Sequence, residues 1–195
     1  MEMSAQPGRT AGGEPGQGLC AAVDVHYLLS GGARAAAVLA ADATFGQVTG
    51  ERTALVRQVQ PYRPGEFYRR ELPPLRAVLT GLAGLSLLVV DGYVDLDPAG
   101  RPGLGAYAHE AFAVPVIGVA KTMFRSATHA VPVLRGTSAR PVLVTAAGMP
   151  RDDAADLVRR MAGRFRVPDP LRRADELARS PKAAGAPRPS RCPGG

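Results

Sequence analysis

The apolar positions of the first third of the chain fall into short runs separated by turn residues, which predicts strands. Residues 19–29 and 34–42 are apolar and β-compatible, and a Ser-Gly-Gly turn signal separates them. Apolar and polar residues alternate over 53–60, as in a strand that is half buried or at an edge. The pattern therefore predicts a hairpin followed by a third strand.

Two uninterrupted apolar runs, 85–90 and 114–120, are typical of strands buried on both faces of a parallel sheet. The Gly/Ala-rich segment 104–113 between them predicts a helix, and the three segments together predict a βαβ unit. Residues 141–146 predict one more strand. Three antiparallel strands followed by parallel strands and flanking helices define an α/β fold with a mixed sheet, in which the first strand lies beside the fourth.

Helical spacing of apolar residues predicts three further helices. One begins near Pro73 and Pro74, which we expect in its first turn, so that Glu71 lies at or just before its N-terminus. The other two are expected at 152–165, where acidic residues come early and arginines late, and at 171–179.

The two ends of the 195-residue chain lack any such pattern. Residues 1–18 are rich in Gly, Pro and polar residues, and residues 180–195 form a basic Pro/Ala-rich tail. Neither can bury enough apolar surface to offset the entropy of ordering its backbone, so we expect both to be disordered. Residues 19–179 are then one globular domain.

Composition narrows the class of partner. The net charge of +7 favours polyanions such as nucleic acid, although the Ala/Arg/Gly/Pro bias of a GC-rich genome accounts for the excess equally well. The only cysteines, Cys20 and Cys192, allow neither a disulfide framework nor a zinc site. No leader pattern and no run of about 20 apolar residues is present, so we expect a cytoplasmic protein without a membrane partner.

Two aspartates, Asp24 and Asp91, interrupt apolar runs. A buried carboxylate is costly unless it is paired or binds a cation, and the expected strand order brings these two together, where Mg²⁺ or Mn²⁺ would relieve their repulsion. Each also has a purely structural interpretation. Asp24 fits an edge strand, Asp91 with Gly92 fits a turn, and Glu71 fits a helix start.

The most specific motif is Pro61-Tyr62-Arg63-Pro64-Gly65, followed by Arg70-Glu71. By itself the five-residue segment is also a good rigid turn. With it, in order, occur the segments Val23-Asp24-Val25, Val90-Asp91-Gly92, Gly118-Val119-Ala120-Lys121 and Pro168-Asp169-Pro170. In these motifs, over residues 21–175, the chain resembles endonuclease V, the family of deoxyinosine 3′-endonucleases with an RNase H-like fold.

The resemblance implies a Mg²⁺-dependent endonuclease, with Mn²⁺ as a substitute, that cuts the second phosphodiester bond 3′ to deoxyinosine. The implied metal ligands are Asp24, Glu71 and Asp91, and Lys121 would stabilise charge at the scissile phosphate. The implied nucleic-acid contacts are the wedge Tyr62 with Arg63, Pro64 and Gly65, and the backbone at Gly92. The expected partner is DNA containing inosine or another damaged base, with RNA as an alternative, and the expected state is a monomer.

Three departures from the family pattern keep other functions open. Asp97 stands where the family has a histidine near the metal; an aspartate could bind a cation but could not contact phosphate as a cation. Ala147-Gly148 replaces a Gly-His pair, and the helix before the first strand is missing. The alternatives are an inosine-binding relative without turnover and an RNase H-like nuclease with an altered substrate, such as abasic, mismatched or flap DNA or inosine-containing RNA.

Overall fold

The computed structural model describes residues 17–61 and 68–180. Its strands are β1 (Gln17–Tyr27), β2 (Ala33–Asp42), β3 (Val48–Val56), β4 (Leu85–Asp91), β5 (Val116–Ala120), β6 (Val131–Val133) and β7 (Val142–Ala147). They form one sheet in the order β3-β2-β1-β4-β5-β7-β6. The predicted mixed sheet, with the first strand beside the fourth, is confirmed.

The register of the three central strands determines which residues meet at the carboxyl edge of the sheet. Strands β1, β4 and β5 are parallel, while β2 pairs antiparallel with β1 and β3 pairs antiparallel with β2. Val23 pairs with Val90, and Asp91 pairs with Val119. The next residues, Asp24 of β1 and Asp91 at the end of β4, therefore lie side by side where the parallel pairing of the two strands stops.

Four helices cover the two faces of the sheet. They are α1 (Tyr68–Leu79), α2 (Leu104–Phe112), α3 (Arg151–Arg160) and α4 (Asp169–Arg179). Leu75 of α1 and Ala108 of α2 pack in one apolar cluster, whereas Val158 of α3 and Leu171 of α4 pack in the other. Alternate residues of the central strands point to the two clusters, as the period of two requires. No helix in residues 17–61 or 68–180 is long and apolar enough to cross a membrane.

Several boundaries differ from those expected. Strand β1 begins at Gln17, inside the segment expected to be disordered, and the Leu19 N–H donates to Gly84 O at 3.1 Å. Strand β3 lies at Val48–Val56, earlier than expected, because it pairs with β2 along its whole length. Strand β6, which has only three residues, was not predicted; it is too short to show a period.

Helix α1 contains Pro73 and Pro74 in its interior, so placing them in the first turn is wrong, although Glu71 does lie in that turn. Each proline removes a backbone hydrogen bond and clashes with the preceding turn, at a cost of about 3 kcal/mol. Burial of Leu75, Val78 and Leu79 against the sheet offsets that cost.

Helix α3 ends at Arg160, five residues before the expected end. The cause is Arg135, a buried arginine whose guanidinium donates to the carbonyls of Met161 at 2.6 Å and Gly163 at 2.9 Å. Met161 is extended, with ψ 146°, and its carbonyl turns away from the helix toward this donor. A distant arginine of this kind leaves no signal in helical periodicity.

We expect Arg135→Met to lower the free energy of unfolding by about 1–3 kcal/mol, because the carbonyls beyond α3 lose their donor while the apolar stem is kept. Urea denaturation at pH 7 measures the change. The matched control is Arg159→Met on the exposed face of α3, which should stay within about 0.5 kcal/mol of the wild type. Equal stability of the two variants would show that Arg135 does not terminate the helix.

Candidate active site at the carboxyl edge of the sheet

Four side chains named from the sequence converge where β1, β4 and β5 end. Asp24 of β1 lies beside Asp91, the last residue of β4, and Lys121 directly follows β5. The Lys121 Nζ lies 2.5 Å from Asp91 Oδ2. Glu71 of α1 lies near the same edge, where the charges of Asp24 and Asp91 both contribute to raising its pKa.

Glu71 is held by a tyrosine from β1. Its side chain is only 7% exposed, and the Tyr27 hydroxyl donates to Glu71 Oε1 at 2.8 Å. The Arg70 guanidinium lies 4.1 Å from the centre of the Tyr27 ring. The last residue of β1 therefore fixes the first turn of α1 against the carboxylate cluster.

The structure adds a fourth carboxylate, Asp175 of α4, to which sequence reasoning assigned no role. Asp175 shares a hydrogen bond with Asp24 and accepts one from Arg179 Nε at 2.7 Å. Its spacing from Arg179 is that of an ordinary helical i,i+4 ion pair, so nothing in the sequence indicates its contact with Asp24. Its helix neighbours Leu171, Ala174 and Ala178 are all buried, which is the available signal that this side of α4 faces the sheet.

Crowding and burial shift the ionisation of these groups. Burial, then the charges of Asp91 and Asp175, raises the pKa of Asp24 to about 7. Burial also raises the pKa of Glu71 to about 7, and the Tyr27 hydrogen bond opposes the rise. For Asp175 burial raises the pKa, but hydrogen bonds from Arg179 and Asp24 outweigh it and the net pKa is lowered. The protonated Asp24 carboxyl thus donates to the Asp175 carboxylate.

The donor set has the chemistry of a hard-cation site. Burial and neighbouring charge keep Asp24 and Glu71 protonated to about pH 7, and a divalent cation would offset the negative charge that forms when they lose their protons. The carboxyl oxygens of the cluster are nevertheless engaged by Lys121, Tyr27 and Arg179. Within residues 17–61 and 68–180, no three His, Cys, Asp or Glu side chains gather closely enough to hold a metal ion. The residue types fit Mg²⁺, and binding requires these side chains to turn from their present partners.

Asp97 is not brought into this cluster. Its Oδ1 accepts the backbone N–H groups of Ala99 and Arg101, both at 3.1 Å, and its Oδ2 lies 3.6 Å from Arg101 Nε. These contacts are those of an aspartate that closes a turn through its own backbone. Asp97, expected near the metal, instead stabilises the 97–101 loop.

The expectation that Gly148 occupies an active-site position is wrong. Strand β7 runs antiparallel to β5, and Ala147 pairs with Val116 at the start of β5. Lys121 lies five residues further along, about 16 Å away at 3.3 Å per residue. Gly148 has φ +72° and packs against His109, at the opposite end of the sheet from the carboxylates.

Of the expected nucleic-acid contacts, Tyr62, Arg63, Pro64 and Gly65 lie outside the described residues. Gly92 is described: its φ of +133° is one that side-chain-bearing residues rarely adopt, and its N–H donates to Val119 O at 3.1 Å. A Cβ added there would meet nothing within 4 Å. Gly92 therefore presents open backbone beside Asp91.

A cavity of about 470 Å³ lies on the α1/α2 side of the cluster. Tyr68 of α1 and Tyr107 of α2 stack within it, with ring centroids 3.5 Å apart at 14°. The other lining residues include Leu96, Arg101, Pro102 and Phe124. In the sequence, Tyr68 comes three residues after Gly65, the last residue of the Pro-Tyr-Arg-Pro-Gly motif.

Comparison with known proteins gives consistent results. The family model for endonuclease V matches residues 8–147. Endonuclease V of Streptomyces avermitilis is 31% identical over 189 residues, covering 86% of this chain and 82% of the relative. Endonuclease V of Azotobacter vinelandii is 34% identical, with 84% and 83% covered.

Solved structures agree in fold. The crystal structure of the Streptomyces avermitilis enzyme superposes with a TM-score of 0.71 at 32% identity, covering 86% of this chain and 82% of that one. Human endonuclease V gives 0.64 at 25% identity, with 84% and 83% covered. Ciona intestinalis endonuclease V, solved with a 23mer DNA containing an inosine followed by a ribo-adenosine, gives 0.67 at 19% identity, with 83% of each chain covered. The fold of this chain is RNase H-like, as predicted.

We expect Asp24→Asn to stabilise the metal-free protein increasingly as the pH rises from 5 to 8, by about 1–2 kcal/mol. Asp24 has a raised pKa in the folded state, so the folded protein keeps a proton that the unfolded chain loses above about pH 4. Wild-type stability therefore falls as the pH rises from about 4 to about 7 and levels off above that, and the asparagine variant escapes this loss.

Urea unfolding in EDTA at several pH values measures the difference between the two proteins. Asp156→Asn, which changes an exposed aspartate of α3, is the control and should show no such trend. A pH-independent difference for Asp24→Asn would contradict the crowded-carboxylate interpretation.

Proposed function

The chain belongs to the endonuclease V family, and we propose that it is a metal-dependent endonuclease that cuts the second phosphodiester bond 3′ to deoxyinosine in DNA. The observation that carries this proposal is the cluster of Asp24, Glu71, Asp91 and Asp175, with Lys121, at the carboxyl edge of an RNase H-like sheet. Acidic groups crowded at the end of neighbouring strands add nothing to stability unless a cation joins them.

Asp24, Glu71, Asp91 and Asp175 would hold Mg²⁺, with Mn²⁺ as a substitute. The bound cation would lower the pKa of a water molecule and neutralise charge that develops on the phosphate. Asp24 and Glu71, with pKa values of about 7, would release their protons when the cation binds. The carboxylates would thus set the charge of the site and hold the cation beside the substrate strand.

Lys121 supplies a movable positive charge. Its side chain is 42% exposed and its ammonium contacts Asp91, so it lies next to the carboxylates and within reach of a phosphate oxygen. A donor held beside developing negative charge is worth about 10²–10³ in rate. We assign Lys121 to the non-bridging oxygens of the scissile phosphate.

Recognition of the base would fall to the α1/α2 side. A base taken out of the stack needs a pocket and a group that fills the gap it leaves. The Tyr62 to Gly65 segment would supply the wedge, the aromatic cavity of Tyr68 and Tyr107 would offer a stacking surface, and Gly92 offers open backbone. The Ciona endonuclease V structure with inosine-containing DNA supports inosine as the lesion.

The alternative of an inosine-binding relative without turnover rested on Asp97 and Gly148. Gly148 lies at the other end of the sheet and is no ground for lost chemistry. Asp97 remains the one departure near the site. The cleavage assay tests for an altered substrate, including inosine-containing RNA. The monomeric state and the cytoplasmic location stay predictions.

The deciding experiment is cleavage of a labelled oligonucleotide with a single inosine, as DNA and as RNA, in Mg²⁺ or Mn²⁺. We expect a cut at the second linkage 3′ to the inosine, lost in EDTA and reduced at least about 10²–10³-fold in Asp91→Ala. Asp156→Ala is the matched carboxylate control and should cut normally. Binding that distinguishes inosine without any cleavage would favour the inactive relative, and cleavage regardless of inosine would favour an altered substrate.

Asp175 allows an independent test of the metal site. We expect Asp175→Ala to weaken Mn²⁺ binding about tenfold or more, because one oxygen ligand and the partner of Asp24 are removed together. Isothermal titration calorimetry measures the affinity, and the same titration in two buffers counts the protons released near pH 7. An unchanged affinity would assign Asp175 to α4 alone, as the partner of Arg179.

A further inference from the structure

A second cavity, of about 610 Å³, opens from the candidate active site on the other face of the sheet. Its lining residues include Lys121, Ser138, Arg164, Phe165, Arg172 and Asp175. Two of these, Lys121 and Asp175, already belong to the carboxylate cluster. A cavity of this size is in the range of ligand sites in proteins.

The charge of this cavity is positive. Its four cationic residues are Lys121, Arg164, Arg166 and Arg172, against the two acids Asp175 and Glu176. The acids have cations of their own, since Arg179 holds Asp175 and Arg173 Nη1 lies 3.4 Å from Glu176 Oε2.

The arginines of the cavity differ in how they are used. Arg166 is structural, because its guanidinium donates to Pro141 O at 2.8 Å and to Lys121 O. Arg172 pairs with Asp169 at 3.2 Å and with Glu176 at 4.0 Å. The Arg164 side chain makes no hydrogen bond or ion pair with any residue in 17–61 or 68–180, and it contacts the Phe165 ring. Its guanidinium is the one in the cavity left open to an external anion.

Phe165 orients two of these guanidiniums. Its side chain is 45% exposed, and the Arg172 and Arg164 Cζ atoms lie 4.1 Å and 5.3 Å from its ring centroid. A guanidinium held over an aromatic face keeps the N–H groups at its edge free to donate in its own plane. That geometry suits the oxygens of a phosphodiester.

The two cavities lie on opposite faces of the sheet, and the carboxylates lie on the edge between them. Helices α1 and α2 border the first cavity, and α4 borders the second. The segment 121–124 links them: the Tyr93 hydroxyl donates to Thr122 O at 2.8 Å and accepts the Phe124 N–H at 3.0 Å. A strand that crosses the carboxylates from the first cavity enters the second.

We propose that the cavity beside Phe165 binds the backbone phosphates of the substrate strand on the 3′ side of the cut, with Arg164 as the phosphate ligand and Arg172 stacked beside it on the Phe165 ring. The direction rests on the proposed function, which puts the inosine on the α1/α2 side and the cut beyond it toward the 3′ end. The continuity of the cavity with Lys121 and its positive charge select a nucleic-acid strand as the occupant.

The test compares two inosine-containing strands that share their 5′ part and end one or six nucleotides beyond the expected cut. Binding is measured by fluorescence anisotropy with Ca²⁺ in place of Mg²⁺, and again in EDTA. We expect the wild type to bind the longer strand about tenfold more tightly, and Arg164→Ala to lose most of that difference while it binds the shorter strand normally. The slope of log affinity against log salt for the longer strand should fall by about 1.

The matched control is Arg159→Ala, an exposed arginine of α3 outside the cavity, which should bind both strands like the wild type. Phe165→Leu keeps the apolar bulk and removes the ring, and we expect part of the Arg164→Ala effect. A preference for the longer strand in Arg164→Ala and Phe165→Leu as large as that of the wild type would overturn the proposal. A loss that is the same for both strands would overturn the assignment to the 3′ side.

The same strands without inosine separate this inference from the proposed function. If the wild type neither cuts nor distinguishes inosine, yet its preference for the longer strand is lost in Arg164→Ala, the phosphate site stands and the lesion assignment fails. If the wild type cuts as proposed but strand length has no effect on its affinity, the function stands and the phosphate site fails.

Discussion

The arrangement of charged groups at the candidate active site depends on the repulsion among carboxylates that the parallel strands β1 and β4 bring together. Once β1 lies beside β4 in register, Asp24 and Asp91 must face each other, and Asp175 comes down on Asp24 from α4. The nearby cations and the retained proton each reduce that repulsion. Lys121 contacts Asp91, Arg179 contacts Asp175, and Asp24 keeps its proton to about pH 7.

The helix that completes the cluster is held from a distance. Arg173 of α4 forms a two-point contact with Glu51 of β3, at 2.7 Å and 3.0 Å, and Arg34 of β2 donates to Ser180 O at 2.5 Å at the end of the helix. These bonds fix how α4 lies across β1 and β2, and so where Asp175 points. Strands β2 and β3, which contribute no group to the carboxylate cluster, therefore position Asp175 through these bonds.

The sequence predicted the parts of the site that strand order and register control. Asp24 and Asp91 are expected to meet because each interrupts an apolar run and the usual strand order places the first strand beside the fourth. Glu71 could be assigned only through the family motif, since an acidic residue in a first turn is ordinary. Asp175 was missed because its pair with Arg179 explains it locally, and Gly148 was misplaced because the direction of β7 cannot be read from its residues.

Lys121 joins the two halves of the mechanism. Its ammonium belongs to Asp91 in the cluster and also lines the cavity beside Phe165, so it borders both the carboxylates and the cationic path for the strand. When Asp91 binds a divalent cation, its carboxylate attracts the Lys121 ammonium less strongly. The ammonium then becomes available to a phosphate oxygen. Cation binding and strand binding would then favour each other through one side chain, because each relieves a charge that the other leaves unpaired.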